Sequence, residues 1–495
     1  MNYLGIDLGT SSVKIIAMDD EGKVTYSLSK DYPVYYPQMG YAEQNPEDWW
    51  NATKDGIKEL IEKNNIDNKT IKAIGFSGQM HGLVALGDKD EVLFPAILWC
   101  DQRTEDECNY ITEIVGKEKL SKYTGNKALT GFTAPKILWI KKHKPEIYNK
   151  IKHILLPKDY LRFKLTGEYA TDVSDASGTL LFDVENRCWS KEMLNILEIS
   201  EEAMPKCFES SEITGTINRE AANCTGLLEG TLVAGGGGDQ AAGAVGTGTV
   251  ESGIISVAMG TSGVIFAAQK EYIVDNENRL HSFCHANNEW HVMGVMLSAA
   301  SCLKWWVEEI NRGDSKSFDE ILEEAEKIPA GSEGLIFLPY LMGERTPYSD
   351  ANAKGCFIGL SITHTRAHMT RAILEGVAFG LKDSLELVKA LNIPINEVRV
   401  SGGGAKSRLW RQILADVLKA RIDMINSVDG PSFGAAILAS VAGGSFNSVN
   451  EACSKLIKVT ESVSPNLHNI SEYERLYKVY SSLYGILKDI FKKLA

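Results

Sequence analysis

Two aspartates stand where apolar, strand-like runs give way to glycine. Asp7 follows Tyr3-Leu4-Gly5-Ile6 and leads into Gly9-Thr10-Ser11-Ser12, and Asp239 follows Leu232-Val233-Ala234 and the four glycines Gly235 to Gly238. A carboxylate at a strand end, with little side-chain bulk around it, is suited to take a proton from a hydroxyl that attacks phosphorus. That is the chemistry read at Asp239. Asp7 lies beside a turn whose backbone N–H groups and hydroxyls form a nest for phosphate. Like charges would repel there unless a cation lay between them. Asp7 is therefore a candidate to orient Mg²⁺, directly or through water; the alternative is a turn-forming carboxylate.

The nest is written twice. Gly9-Thr10-Ser11-Ser12-Val13 recurs as Gly260-Thr261-Ser262-Gly263-Val264, 251 positions later in a chain of 495 residues. Each copy sits between two apolar runs, so each reads as strand, tight turn, strand. Self-similarity at half-chain spacing implies two related domains. Thr10 in one copy, and Thr261 and Ser262 in the other, are candidate phosphate contacts. Gly402-Gly403-Gly404-Ala405 leaves room for adenosine against the backbone at a helix N-terminus, or is simply a permissive turn.

A third group could hold a polyol, whose hydroxyls need donors and acceptors. Gln79-Met80-His81-Gly82 and Trp99-Cys100-Asp101-Gln102-Arg103 both follow short apolar runs, which brings Met80, His81 and Asp101 into consideration; a merely packed His81 is the alternative. Gly236 to Ala241 fits GxGxxA, but Asp239 inside it would face a pyrophosphate. There is no GxxxxGK[ST] sequence. His281, Cys284 and His285 lack the second ligand cluster that a structural zinc needs.

These residues must be positioned by a repeated order of elements. The first half reads β-β-β-α-β: the hairpin, Lys23 to Leu28, a helix starting at Asn45-Pro46-Glu47 with Trp49, Trp50, Ile57, Leu60 and Ile61 on its apolar face, and Lys72 to Phe76. The second half predicts hairpin strands at about 253–258 and 262–268, a strand at Trp290 to Met293, and a helix through Leu303, Trp306, Val307 and Ile310. Leu335 to Leu338 is expected as the strand that closes the repeat. A long helix from about Arg366 to Leu391, the strand Glu397 to Val400 and a helix through Trp410 and Val417 follow. The junction falls within about 240–252, giving domains 1–245 and 246–495, with an insertion from about 80 to 230 shaping the substrate side. This tandem α/β order resembles duplicated actin-like ATPase (ribonuclease H-like) domains facing a central cleft.

Composition restricts the partners. The net charge is −13, which argues against nucleic acid or an anionic membrane surface. Any bound phosphate must be held locally. The N-terminal run is interrupted by Asp7 and does not resemble a signal peptide. Nine cysteines with no CxxC pair suggest reduced thiols in a cytoplasmic protein.

Over essentially its whole length the chain resembles the FGGY family of carbohydrate kinases. The family's C-terminal signature corresponds to Gly355-Cys356-Phe357-Ile358-Gly359-Leu360 and, after seven residues, His368-Met369-Thr370-Arg371-Ala372-Ile373-Leu374-Glu375. Gly78-Gln79-Met80-His81-Gly82, Gly238-Asp239-Gln240-Ala241-Ala242-Gly243 and Gly343-Glu344-Arg345-Thr346-Pro347 are similar to the branch acting on D-xylulose. Glycerol-acting members carry an Arg-containing sequence in the first of these loops. The resemblance implies MgATP-dependent phosphorylation of a small ketopentose, with Asp239 as base and Asp7 near the phosphates. It also implies Met80, His81, Asp101 and Gln240 on the sugar, and Thr10, Thr261, Ser262, Gly402, Gly403, Gly404 and Ala405 on the nucleotide. Gln240 departs from the Asn common in bacterial relatives. The expected partners are small molecules, with a homodimer the only macromolecular assembly entertained.

Overall fold

The computed structural model describes residues 1–313, 316–427 and 429–494, which form two seven-stranded mixed sheets with helices on their faces. The first sheet runs in the spatial order Ile213–Thr216, Leu232–Ala234, Ile71–Gly78, Asn2–Leu8, Ser12–Asp19, Val24–Asp31, with Gly237–Gly238 also paired to Ile71–Gly78. The second runs His281–Cys284, Trp290–Met296, Gly263–Gln269, Ile254–Met259, Glu397–Ser401, Ile422–Ile425, Val459–Val463. In both, the hairpin at the Gly-Thr-Ser turn is antiparallel and its first strand pairs in parallel with a strand that returns after a helix. The expected duplication is present.

One expected strand lies elsewhere. Ile336–Leu338 is extended, but it pairs only with Cys356–Ile358 in a separate two-stranded sheet. The place that Ile71–Gly78 fills in the first sheet is taken in the second by Glu397–Ser401. A four-residue apolar run carries no periodicity that could distinguish a sheet strand from a buried segment of another layer. The helix expected through Ile310 is Ala300–Trp305, continued by the wider turn Trp306–Ile310. His281–Cys284 adds an edge strand beside Trp290–Met296.

Alternation sorts the first strand between two layers, since successive side chains point to opposite faces. Leu4, Ile6 and Leu8 pack with Trp49, Ile57 and Leu60 of the helix Pro46–Lys63. Tyr3 packs with Phe433 and Ala436 on the other face, where Gly5 also lies. The helix on that face is Gly430–Ala442, contributed by the second half of the chain, and it also crosses the helix Asp239–Thr247.

The contact is backbone against backbone. A methyl group at Gly5 would sit 2.0 Å from the Ser432 carbonyl oxygen, and one at Gly75 2.0 Å from that of Ala435. Between the helices, a Cβ at Gly246 would lie 2.1 Å from the Gly430 oxygen and one at Gly434 1.8 Å from the Ala242 oxygen. Glycine is therefore sterically required at these crossings. The segment between the first sheet's strands forms a third packed region. Phe132, Ile137 and Leu180 bury themselves against Phe266, Phe283 and Met293 of the second sheet.

The crossings give a direct test. Gly434→Ala should destabilise the protein by at least the 1–3 kcal/mol typical of overpacking, because backbone cannot yield as a side chain can. Gly485→Ala, in the helix Leu467–Lys493 where nothing lies within 4 Å of the new methyl, should stabilise by about 0.5–1 kcal/mol. Urea unfolding of the two variants measures both; similar small effects would contradict the packing.

Candidate active site

Asp7 and Asp239 lie at the ends of two strands that flank Ile71–Gly78. Asp7 lies on Asn2–Leu8 opposite Ser77 of the parallel partner, and Gly237–Gly238 pairs with Ser77 and Gly78 and delivers Asp239 as the first residue of the helix Asp239–Thr247. Burial raises the proton affinity of a carboxylate, and a nearby negative charge adds to it. Burial and then the charge of Asp7 push Asp239 up to about 7, against the opposing amide groups of Gln240. Burial also raises Asp7, while Ser77 and Lys14 pull it down. Asp7 Oδ1 is buried with no hydrogen-bond partner among the described residues.

An orphaned carboxylate oxygen beside a second acidic group is the donor set of a hard cation. No cluster of three or more His, Cys, Asp or Glu that could hold a metal occurs among the described residues. Such a sparse protein shell suits Mg²⁺, which keeps several waters and takes its other oxygens from phosphate.

The first nest is held rigidly. Gly9 N–H donates to the Ser12 carbonyl at 3.0 Å, and Tyr32 OH donates to the Gly9 carbonyl at 2.5 Å. Gln44 Nε2 donates to the Thr10 carbonyl at 2.7 Å, and Trp99 Nε1 to Thr10 Oγ1 at 3.0 Å. In the second nest Ala299 N–H and Ser301 Oγ donate to the Thr261 carbonyl, at 2.9 and 2.7 Å. Beside it opens a cavity of ≈ 590 Å³ lined by Thr261, Gly403 and Gly404 and by the apolar groups of Leu303, Phe318, Leu322 and Trp410. A space of this size, with glycine on one wall and aromatic rings on the other, fits a purine nucleoside.

Ser262, Gly402 and Ala405 do not line that cavity. Gly402 has φ 86° and lies against the Met259 carbonyl, 2.5 Å from where its Cβ would be. Ala405 is buried and its carbonyl accepts from Arg411 Nη1 at 2.7 Å. Both shape the turn from behind.

On the sugar side, Met80 covers Gly238, its Sδ lying 2.8 Å from where a Cβ would stand, so it packs next to the catalytic candidate Asp239. His81 has φ 70° and its Nδ1 donates to the Gly178 carbonyl at 2.7 Å. That bond fixes the tautomer, because a carbonyl can only accept. Burial holds the imidazole far below its ordinary value, at about 3, so it is neutral at every physiological pH. Nδ1–H is therefore spent on Gly178, and Nε2 is left as an acceptor.

Asp101 is fully buried. Its Oδ1 accepts from Arg103 N and Nε at 2.9 Å, and its Oδ2 accepts from Ala42 N and Arg103 Nη2, both at 2.6 Å. Arg103 also bonds Glu43 at 2.8 Å and stacks 3.8 Å from the Tyr41 ring centroid. Asp101 thus has both oxygens engaged within the protein. Gln240 is half-buried beside Asp239.

Several site residues escaped the sequence reading. Lys14 faces Asp7 across the hairpin and pairs with Asp429 at the start of the helix Gly430–Ala442. The hairpin register, which the four-residue turn defines, could have revealed it. Gln44, Trp99 and the apolar wall of the cavity carry no local signal.

Comparisons with known proteins agree with this fold. The sequence models of the N-terminal and C-terminal domains of the FGGY family of carbohydrate kinases match residues 2–246 and 255–443. The xylulose kinase of Bacillus subtilis (strain 168) is 41% identical over 492 residues, covering 99% of this chain and 98% of that protein. The ligand-bound xylulose kinase of Lactobacillus acidophilus superposes with a TM-score of 0.94 at 28% identity, covering 100% of both chains. The gluconate kinase of the same organism superposes equally well, with a TM-score of 0.94 at 29% identity and coverage of 100% and 99%. The fold is that of the FGGY carbohydrate kinases, with actin-like ATPase domains.

The raised proton affinity of Asp239 makes its charge a cost to the fold. The cost is absent where folded and unfolded chains are both protonated, below the ordinary value of 3.8, and complete above about 7. Asp239→Asn should therefore raise Tm at pH 8, with the gain shrinking as pH falls to 5. A Tm that drops at both pH values would contradict the electrostatic reading.

Proposed function

The chain belongs to the FGGY family of carbohydrate kinases, and within it we propose that the γ-phosphoryl group of MgATP is transferred to the terminal hydroxyl of D-xylulose, giving D-xylulose 5-phosphate. The observation that supports this most is the gathering of Asp239, Met80 and neutral His81 at one strand end, with the nucleoside-sized cavity and the second nest on the other sheet. In this reading residues 1–245 carry the sugar wall and 246–495 the nucleotide wall.

The steps follow from the residues. Met80 supplies an apolar wall and His81 Nε2 accepts from one sugar hydroxyl; Gln240 donates to another. Asp101 acts from behind through Arg103. Adenosine occupies the cavity beside Gly403 and Gly404, with the phosphates directed toward Thr261, Ser262 and Thr10. Asp239, with a proton affinity near neutrality, accepts the hydroxyl proton as the oxygen bonds to the γ-phosphorus and ADP departs. Asp7 would hold Mg²⁺, directly or through water, and the bound ion would supply neutralisation of charge on the transferred group.

Fold alone does not select the sugar, since a gluconate kinase superposes as closely as a xylulose kinase. His81 favours the ketose. A neutral ring presenting a lone pair meets a hydroxyl well and repels a carboxylate. No helix among the described residues is long and apolar enough to cross a membrane, and the nine cysteines are free, as a reducing cytoplasm would leave them.

In a coupled assay D-xylulose should exceed glycerol and gluconate by orders of magnitude in kcat/KM, and D-ribulose by a smaller margin. A preference for glycerol or gluconate would overturn the substrate while leaving the kinase. Asp239→Asn should lower turnover by roughly 10²–10⁴-fold, the contribution of a general base, with ATP binding retained. Near-normal turnover in that variant would remove Asp239 from its role. Asp7→Ala should cripple transfer and shift the Mg²⁺ requirement upward, with nucleotide-free sugar binding little changed; a defect confined to sugar binding would contradict the metal role.

A further inference from the structure

Lys136 is fully buried in the first turn of the helix Thr133–His143, yet no carboxylate among the described residues lies within ion-pair distance of it. Asp101, whose charge it feels most, is engaged by Arg103 and Ala42. The ammonium instead donates to two backbone carbonyls, those of His81 at 2.8 Å and Gly131 at 2.6 Å. Thr133 Oγ1 donates to the same His81 carbonyl at 3.1 Å.

Burying a lysine without a counter-ion costs stability, and an apolar side chain of similar length would cost less. The position of what it holds accounts for the arrangement. His81 stands in the left-handed region at φ 70°, a conformation that side chains other than glycine rarely adopt and that persists only where the surroundings enforce it. In this turn its carbonyl points inward to Lys136 and Thr133, while its ring is tethered to Gly178. With its carbonyl and Nδ1 both held, the ring atom of His81 left without a hydrogen bond among the described residues is Nε2.

We propose that Lys136 is a positioning residue for sugar recognition, holding the His81 carbonyl so that Nε2 is aimed at a sugar hydroxyl. The proposal rests on the sugar-kinase reading and adds to it a residue that touches no substrate. Burial pushes Lys136 down to about 7; in its ammonium form the hydrogen bond to the His81 carbonyl is charge-assisted and stronger than a neutral one, which suits it to hold a strained turn. Thr133 contributes the second, weaker donor.

The test is a double-mutant cycle on xylulose binding, read by calorimetry on the full chain. Lys136→Met should weaken xylulose roughly 10–100-fold, the loss expected for a hydrogen bond to a charged group, and raise KM for the sugar far more than it lowers kcat or alters KM for ATP. In a His81→Ala background the same substitution should change xylulose affinity by less than about twofold, since the atom being aimed is gone. An equal loss in both backgrounds, or unchanged affinity in a folded Lys136→Met, would overturn the proposal. If Lys136→Met fails to fold, Thr133→Val removes the other donor to that carbonyl without touching the buried charge. It should show a smaller loss with the same dependence on His81, and no loss would overturn the proposal. Should the wild type bind a different sugar, the substrate reading fails on its own and the cycle is read with that sugar.

Discussion

The geometry of the candidate site depends on a helix that crosses its neighbours at four points too close to permit a side chain. Gly430–Ala442 crosses Asn2–Leu8, Ile71–Gly78 and Asp239–Thr247 at Gly5, Gly75, Gly246 and Gly434, where an added methyl would overlap backbone atoms. Those same elements carry the chemistry. Asp7 is two residues beyond Gly5, Ser77 two beyond Gly75, and Asp239 begins the helix that contains Gly246. A contact between backbones has no rotamers through which to relax, so the two carboxylates inherit a separation set by the crossing rather than by their own mutual repulsion. Lys14 and Asp429 pair at the start of the crossing helix, tying the first hairpin to the second half of the chain.

Charge in the cleft follows first from burial and, at Asp239, then from the nearness of Asp7. Asp239 is driven up to about 7 and Asp7 is also raised, so the cleft is poised to lose protons near neutrality and to welcome a divalent cation. Opposite them stands a histidine kept neutral by burial, with one nitrogen already committed to Gly178. His81 Nε2 and the Asp239 carboxylate are acceptors, and a polyol brings donors. The nucleotide side has another character: glycine backbone facing Phe318 and Trp410, a surface for a flat ring rather than for hydroxyls.

How much of this was legible depended on whether the cause was local. The twin nests, Asp7 and Asp239 were readable because Gly, Thr and Ser at a tight turn act within a few residues of themselves. The expected strand at 335–338 belongs to another sheet because four apolar residues hold no period; its layer is decided by pairing with Cys356–Ile358. The crossing helix was invisible in the sequence. Its glycines lie at positions 5, 75, 246 and 434, and each is ordinary alone. The carbonyl that accepts from His81 Nδ1 lies 97 residues away, a partner that no spacing rule supplies. Phe318 and Trp410 likewise meet only in three dimensions.

The central claim is that the cleft directs a terminal sugar hydroxyl, and no other oxygen, onto the γ-phosphorus. The most direct measurement is phosphorus–proton correlation NMR of the product formed from D-xylulose and MgATP, with ADP quantified in the same sample. The account predicts one sugar phosphate per ADP, its phosphorus coupled to the protons on C5. Phosphate on another carbon, or ADP released with inorganic phosphate and unmodified sugar, would contradict it.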